Sequence, residues 1–252
     1  MLDVKNLFCG YGATEVLHDI SFSIGSGQRL CILGPNGCGK TTLLRALAGV
    51  LPFQGEVLLC GSPLNKLKRR DVARRVALMS QLSTVYFSYT VYETVMMGRY
   101  AHLQGSIFSA EREEDHKAVQ ESLRRTGLLE LKDRPITTLS GGQLQRVFLA
   151  SVFTQDPQII LLDEPTNHLD LKYQLELVAY LKEWSRQDGH CVVGVLHDVN
   201  LALAFADTIL LLEDGRMQAF EKAENFDLSL IDRVYHMDIQ RYMKDSFKRW
   251  EH

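Results

Sequence analysis

The chain has 252 residues, 46% of them hydrophobic and 23% charged, with a formal net charge of −3. These values are ordinary for a globular protein, and the slightly acidic balance gives no electrostatic reason to expect nucleic acid as a partner. The five cysteines are scattered and odd in number, which argues against a disulfide framework or zinc site and fits a reducing compartment. Residues 1–5 do not resemble a signal segment, and no apolar run approaches the roughly 18 residues of a membrane span. We therefore expect a cytoplasmic protein.

The N-terminal part is predicted to form β structure. Residues 2–7 and 16–24 have the length and apolar content of strands, and Gly10, Tyr11 and Gly12 form a predicted turn between them. In that turn Tyr11 is either an exposed aromatic side chain or a packing residue, and spacing alone favours neither.

A glycine-rich loop follows the next predicted strand, residues 29–33, and precedes a run of helix formers at residues 43–48. It fits the phosphate-loop pattern of Gly, four residues, then Gly-Lys-Thr. Glycine allows the backbone to curl so that successive N–H groups point at an anion, which Lys40 would reach at its β- and γ-phosphates. The Thr41 hydroxyl would ligate Mg²⁺. The loop predicts a nucleoside triphosphate site made of Gly34, Pro35, Asn36, Gly37, Cys38, Gly39, Lys40, Thr41 and Thr42.

The middle of the chain alternates strands and helices. Residues 54–61 and 75–80 are predicted strands, and Gln81 follows the second. The basic run at residues 66–75 is interpreted as a solvated helix face, since a nucleic-acid patch would interleave aromatic residues with the charges. Residues 82–134 indicate a mostly helical insertion with an amphipathic helix over 111–126.

The second α/β half is clearer. Residues 158–163 form an apolar run that ends in Asp163 and Glu164, as expected of a buried parallel strand. Asp170 is the predicted N-cap of a helix to about residue 186, and residues 191–196 form the next buried strand, followed by His197. Residues 208–212 and 216–220 are predicted to close as a hairpin. The helix after Asp170 carries an apolar face of Leu171, Leu175, Val178 and Leu181.

Polar groups follow several of these predicted strands. In open parallel sheets, ligands bind at the carboxyl ends of the strands, so we expect the phosphate loop, Gln81, Asp163, Glu164 and His197 to share one site. Asp163 would bind the metal directly or through water. Glu164 would orient an attacking water or accept its proton, and His197 could hydrogen-bond the γ-phosphate.

A second anion site is predicted at residues 140–143, ahead of an apolar helix. Ser140 and Gln143 have capping-box spacing, and Gly141 and Gly142 expose backbone N–H groups at a helix N-terminus. The alternative is a well-capped helix without a ligand.

Taken together, these motifs resemble those of the ATP-binding subunits of ABC transporters, over essentially the whole chain. Residues 34–42 are similar to the Walker A loop, residues 159–164 to Walker B with its catalytic glutamate, and residues 139–143 to the LSGGQ signature. Gln81 matches the Q-loop, which also ligates the metal, and Asp170 the D-loop. His197 matches the switch histidine, and Tyr11 the aromatic that stacks on adenine.

The resemblance implies an α/β fold: a phosphate-loop NTPase core with an N-terminal antiparallel β subdomain and a mostly helical, signature-bearing subdomain. It implies one ABC ATPase domain, with the core and β subdomain at residues 1–81 and 156–222. The helical subdomain would span 82–155 and a helical tail 223–252. It also implies that ATP and Mg²⁺ bind between two copies of the chain, with Ser140, Gly141, Gly142, Gln143 and Asp170 acting in trans.

The segment from Thr90 to His102 is similar to that of ATPases serving iron-siderophore, haem and cobalamin importers, although Tyr100 and Ala101 depart from the usual small residue and proline. This implies a polytopic permease docked near Gln81–His102, an extracytoplasmic substrate-binding protein, and a place on the inner face of the plasma membrane. An efflux ABC ATPase and a soluble non-transport ABC ATPase are the alternatives.

Overall fold

A computed structural model describes residues 1–80, 88–102, 112–167 and 169–248. Its strands are β1 Leu2–Tyr11, β2 Thr14–Ile24, β3 Arg29–Leu33, β4 Phe53–Leu59, β5 Ser62–Pro63, β6 Val76–Met79, β7 Ile159–Asp163, β8 Cys191–Val195, β9 Thr208–Glu213 and β10 Arg216–Lys222. Its α-helices are α1 Lys40–Leu47, α2 Arg69–Arg75, α3 Val91–Met96, α4 Glu113–Arg125, α5 Gly141–Thr154, α6 Leu171–Ser185, α7 Val199–Phe205, α8 Ser229–Tyr235 and α9 Ile239–Phe247.

The strands form two sheets. An antiparallel sheet has the order β2-β1-β4-β5, and a mostly parallel sheet has the order β10-β9-β3-β8-β7-β6. The short apolar runs of β3, β7 and β8 are buried along their whole length apart from a half-buried Arg29, because helices and the other sheet cover both faces. The parallel pairing of these three strands brings their carboxyl ends to one edge.

Apolar side chains gather in three clusters. One lies between the antiparallel sheet and α1, a second covers the opposite face of the parallel sheet under α6 to α8, and a third joins α3, α4 and α5. The third cluster belongs to the helical part that carries Ser140–Gln143, so the fold class predicted from the sequence is confirmed. The exact division at residues 81/82, 155/156 and 222/223 stays a prediction.

The predicted turn at Gly10–Gly12 is wrong in its placement. Strand β1 continues through Tyr11, which pairs with Thr14, so the turn falls on Gly12 and Ala13. Gly10 serves a different purpose, since a Cβ there would lie 2.0 Å from the backbone oxygen of Thr14. The glycine allows close approach of β2 rather than a change of direction.

The predicted apolar face of α6 is only partly correct. Asp170 caps the helix by accepting a hydrogen bond from the backbone N–H of Tyr173 at 3.0 Å, as expected. Val178 and Leu181 are buried, but Leu171 and Leu175 are 70% and 54% exposed. Helix α6 packs against the core through a different face, which includes the half-buried Tyr173 of its first turn as well as Leu177 and Trp184. Leu171 and Leu175 lie outside that face.

Every helix in the described part of the chain falls short of the length and apolar character that crossing a bilayer requires.

Candidate functional site

The phosphate loop connects the end of β3 to the start of α1. Gly34 opens the loop at φ +150°, and a Cβ on it would lie 2.2 Å from the backbone oxygen of Leu212 and 2.7 Å from the Cys38 sulfur. Only glycine fits between β9 and the rest of the loop, which explains its place at the head of the motif.

Lys40 is buried at the first position of α1, with its ammonium turned back into the loop. Its Nζ donates hydrogen bonds to the backbone oxygens of Gly34 at 2.7 Å and Pro35 at 2.8 Å. Both acceptors are neutral, so the positive charge is held in place without being neutralised. The arrangement is suited to an anion seated in the loop.

Asp163 ends β7 as a buried carboxylate whose Oδ1 atom has no hydrogen-bond partner among the described residues. Burial raises the pKa of Asp163, while the hydroxyl of Thr41 acts in the opposite direction. A buried carboxylate oxygen left unpaired is a natural ligand for a cation, and a hydroxyl with a carboxylate is a donor set that Mg²⁺ accepts. These residues therefore fit Mg²⁺.

The described residues contain no group of three His, Cys, Asp or Glu side chains able to hold a metal ion. A metal at Thr41 and Asp163 would therefore depend on oxygens from outside this set, such as phosphate and water.

Glu164 follows in a left-handed conformation, with φ +55°. Its backbone N–H donates to the oxygen of Val195 at 3.2 Å, which ties it to the end of β8. Its Oε1 lies 2.5 Å from His197 Nε2, and its Oε2 accepts a hydrogen bond from the Asn167 amide at 2.7 Å. Both oxygens of this largely buried carboxylate are thus held by neighbours.

Asn167 is a site residue that the sequence analysis missed. It closes the turn after Glu164, where its backbone N–H also donates to the backbone oxygen of Glu164 at 3.3 Å. The available signal was an amide side chain three residues after a predicted functional acid, in a turn that begins with Pro165.

Tyr11 stands at the end of β1 with 45% of its surface exposed. Its hydroxyl accepts a hydrogen bond from Arg45 Nη1 at 3.1 Å, which links it to α1 and fixes one edge of the ring. The structure thus favours the exposed aromatic over the packing residue. Arg45 was also absent from the sequence prediction.

The segment Ser140–Gln143 begins α5 on the helical part of the chain. Both capping-box hydrogen bonds are present: Gln143 N–H to Ser140 Oγ at 3.3 Å and Ser140 N–H to Gln143 Oε1 at 3.0 Å. Further along α5, the buried Gln145 amide donates to the backbone oxygen of Pro165, directly after Glu164. This hydrogen bond joins helix α5, which starts at the second predicted anion site, to the turn that follows Glu164.

The structure brings most of the predicted residues to one edge of the parallel sheet. The phosphate loop follows β3, His197 follows β8, and Asp163 with Glu164 follows β7, which pairs with β8 through Asp163 and Val195. Among the described residues, no hydrogen bond joins Ser140–Gln143 to the loop. Gln81 lies outside the described residues.

Comparison with known proteins gives a consistent result. The ABC transporter family model matches residues 17–167. The ABC transporter ATP-binding protein YvrA of Bacillus subtilis (strain 168) is 39% identical over 88% of this chain, which spans 50% of YvrA. The ferric enterobactin transport ATP-binding protein FepC of Escherichia coli (strain K12) is 39% identical over 92% of this chain and 85% of its own length.

Among solved structures, the dimeric structure of MJ0796, a bacterial ABC transporter cassette, is similar with a TM-score of 0.79 at 30% identity. The similarity covers 90% of this chain and 100% of that one. The fold, the strand-end site and these similarities agree, and the chain belongs to the ABC transporter family of ATP-binding proteins.

Proposed function

We propose that this chain is the ATP-binding and ATP-hydrolysing subunit that powers a membrane importer for an iron-siderophore, haem or cobalamin-type substrate. The observation that carries the proposal is the convergence of the phosphate loop, Asp163, Glu164 and His197 at adjacent strand ends. The similarity to FepC, whose name assigns it to ferric enterobactin transport, supports the importer branch.

ATP binding is assigned to the loop and to Tyr11. Within the loop of residues 34–42, the backbone N–H groups after Pro35 and the ammonium of Lys40 would hold the phosphates, and the exposed Tyr11 ring would stack on adenine. Arg45, which already contacts the Tyr11 hydroxyl, would keep that ring in place.

Thr41, Asp163 and Gln81 would hold Mg²⁺, which supplies neutralisation of charge on the phosphate oxygens when bound. The unpaired Oδ1 of Asp163 supports this assignment.

Hydrolysis is assigned to Glu164 as the group that orients the attacking water and accepts its proton. Asn167 holds Oε2 at 2.7 Å, which directs the carboxylate, while Oε1 is engaged by His197 at 2.5 Å. When His197 turns to the γ-phosphate, Oε1 becomes free to accept the proton. The water then adds to the γ-phosphorus as the bond to the bridging oxygen breaks, releasing ADP and phosphate. Lys40 and the loop amides would stabilise the transferring phosphoryl group, and Gln81 would sense it together with the metal.

Ser140, Gly141, Gly142, Gln143 and Asp170 are assigned to the site of a second copy of the chain. Ser140 and Gly141 are exposed at the start of α5, where backbone N–H groups are available to an anion. The dimeric form of the similar MJ0796 cassette supports this arrangement. ATP would then join the two copies, and hydrolysis would remove the contact that holds them together.

A polytopic permease would dock near Gln81–His102. Within the described part of this segment, the backbone oxygen of Ala101 accepts hydrogen bonds from Arg74 Nε at 2.8 Å and Arg70 Nε at 3.2 Å, both on α2. A groove of about 740 Å³ lies on the other side of α2 and is lined by apolar residues such as Leu51, Leu64 and Val72. An apolar groove next to α2, the helix that contacts this segment, suits a helix of a membrane partner.

The same proposal places the chain in the cytoplasm, peripheral to the inner face of the plasma membrane, with an extracytoplasmic substrate-binding protein in the same system. Co-purification with a permease would support transport over a soluble role, and uptake of a ferric siderophore would support import over efflux.

The substitution Glu164→Gln tests the catalytic assignment. It keeps the size of the side chain and its contact with Asn167 but removes the carboxylate, so hydrolysis should fall by at least about 100-fold while ATP still binds. The bound ATP should trap a stable dimer, visible by light scattering coupled to gel filtration. Glu56→Gln is the matched control, because Glu56 is exposed on β4 of the antiparallel sheet. Hydrolysis by Glu164→Gln at the parent rate would overturn the assignment.

A further inference from the structure

Helix α8 contacts the phosphate loop through a hydrogen bond from its last residue, Tyr235. The backbone N–H of Gly34 donates to the Tyr235 hydroxyl at 3.2 Å, between positions 201 residues apart in sequence. Strand β3 pairs with β9 as far as Leu33, which lies opposite Leu211, so Gly34 is the first residue beyond that ladder. A buried backbone N–H needs a hydrogen-bond acceptor. For Gly34 that acceptor is the Tyr235 hydroxyl, since no neighbouring strand within the ranges that the structure describes supplies a carbonyl oxygen to it.

Gly34 connects this hydroxyl to the cation of the loop. Its N–H faces Tyr235, and its backbone oxygen accepts the hydrogen bond from Lys40 Nζ at 2.7 Å. Leu212 and Cys38 confine Gly34 on another side, as the 2.2 and 2.7 Å approaches to a Cβ show. Without the Tyr235 hydroxyl, only the packing of Leu212 and Cys38 around Gly34 would restrain the backbone conformation of this glycine.

Tyr235 is itself well anchored. Ile231 and Val234 of the same helix are buried in the cluster that covers the parallel sheet, and the Tyr235 ring packs against that cluster. Burial raises the pKa of the Tyr235 phenol, so the hydroxyl stays neutral and available as a hydrogen-bond acceptor at physiological pH. Helix α8 ends at Tyr235, and the C-cap residue His236 takes a left-handed conformation with φ +52°.

We propose that Tyr235 is a positioning residue for the phosphate loop: its hydroxyl holds the Gly34 amide so that the loop amides and Lys40 meet the phosphates of a bound nucleotide. The proposal rests on the proposed function of the loop in ATP binding. Tyr235 acts through Gly34 and does not itself contact the reacting atoms. Its loss should therefore change nucleotide affinity more than the rate of the hydrolytic step.

The substitution Tyr235→Phe tests this inference because it removes only the hydroxyl and keeps the packed ring. The dissociation constants for ATP and ADP, each with Mg²⁺, should both rise by about three- to tenfold, the range expected for one lost hydrogen bond. ADP should respond as strongly as ATP, because the loop holds the phosphates that both nucleotides share. The value of kcat at saturating ATP should stay within about twofold of the parent, since the chemical groups are untouched.

Tyr242→Phe is the matched control, since Tyr242 lies on α9 and is 68% exposed. It should bind both nucleotides as the parent does. Unchanged nucleotide affinity in Tyr235→Phe, with or without a lower Tm, would overturn the inference and leave Tyr235 a packing residue only. An equal loss of affinity in Tyr242→Phe would overturn it as well. A parent chain that binds neither nucleotide would instead overturn the proposed function, and the inference with it.

Discussion

At the scale of single residues, two neighbouring carboxylates have opposite surroundings. Asp163 is buried with one oxygen unpaired, whereas Glu164 has an Asn167 hydrogen bond on one oxygen and His197 on the other. A buried carboxylate oxygen without a hydrogen-bond partner can bind a cation. A carboxylate whose oxygens are held by polar neighbours is fixed in the orientation that a proton transfer requires. The proposed division into metal ligand and catalytic group follows from this difference.

The substitution Asp163→Asn should stabilise the nucleotide-free protein while removing Mg²⁺-dependent hydrolysis. Burial raises the pKa of Asp163 in the folded state, so the folded protein holds this proton more tightly than the unfolded chain does. Folding stability is therefore lost as the pH rises from the pKa of Asp163 in the unfolded chain, near 3.9, through its raised pKa in the folded protein. The neutral amide of Asp163→Asn avoids that loss, so at pH 7 the free energy of unfolding of the variant should exceed that of the parent by about 1 kcal/mol.

Urea unfolding of parent and Asp163→Asn between pH 7 and pH 4.5 measures this difference. The advantage of the variant should be full at pH 7 and shrink toward the acid end, where the parent carboxylate takes up its proton. The account of Asp163 would be contradicted by a variant that is less stable than the parent at pH 7, or whose advantage grows on acidification.

At the scale of elements, two helices begin with the same capping box. Helix α3 has Thr90 and Glu93 in the positions that Ser140 and Gln143 occupy on α5, and both reciprocal hydrogen bonds are present in each. The local geometry is shared, so it explains helix stability in both places. Only the segment on α5 has two glycines directly after the cap and is assigned to the partner's ATP.

Ser140→Ala and Thr90→Ala separate capping from function. Each should cost about 1 kcal/mol of stability, because each removes one side-chain acceptor from a helix N-terminus. Only Ser140→Ala should also lower hydrolysis by the isolated subunit, by about tenfold if the hydroxyl contacts the phosphate. Thermal unfolding and steady-state hydrolysis measure the two effects. Equal hydrolysis by the two variants would show that residues 140–143 are a helix cap only.

Much of the fold could be predicted because its central strands are short apolar runs that end in polar groups. The runs at β3, β7 and β8 indicate buried parallel strands, and their order places the loop, Asp163, Glu164 and His197 at one edge. Local patterns also predict both helix caps, at Ser140 and Asp170.

Contacts between distant segments could not be predicted in this way. The apolar spacing of α6 does not say which of its apolar side chains face the core, so Leu171 and Leu175 were wrongly expected on its buried face. Likewise, nothing in residues 223–252 indicates that Tyr235 meets Gly34, since that contact depends on how α8 packs against the parallel sheet.

At the scale of the whole molecule, we propose that the site at the sheet edge is completed by a second copy of the chain. The chain presents a phosphate loop that holds the Lys40 ammonium in one place and a capped, glycine-rich helix start in another. Within one chain, helix α5 is joined to the turn after Glu164 by the hydrogen bond from the Gln145 amide to the backbone oxygen of Pro165. A movement of the helical part would therefore displace the turn next to Glu164. A symmetric pair of chains would complete two sites at once, each with one half from either copy.

Mixing two inactive variants tests this central claim most directly. Lys40→Ala should inactivate the loop, and Ser140→Arg should inactivate the segment 140–143 by filling its exposed anion site. In a mixed dimer, one site combines the intact loop of one chain with the intact segment of the other. An equal mixture should therefore recover about a quarter of the parent hydrolysis, because half of the dimers are mixed and each has one intact site. A mixture no more active than the two variants measured separately would contradict the shared site.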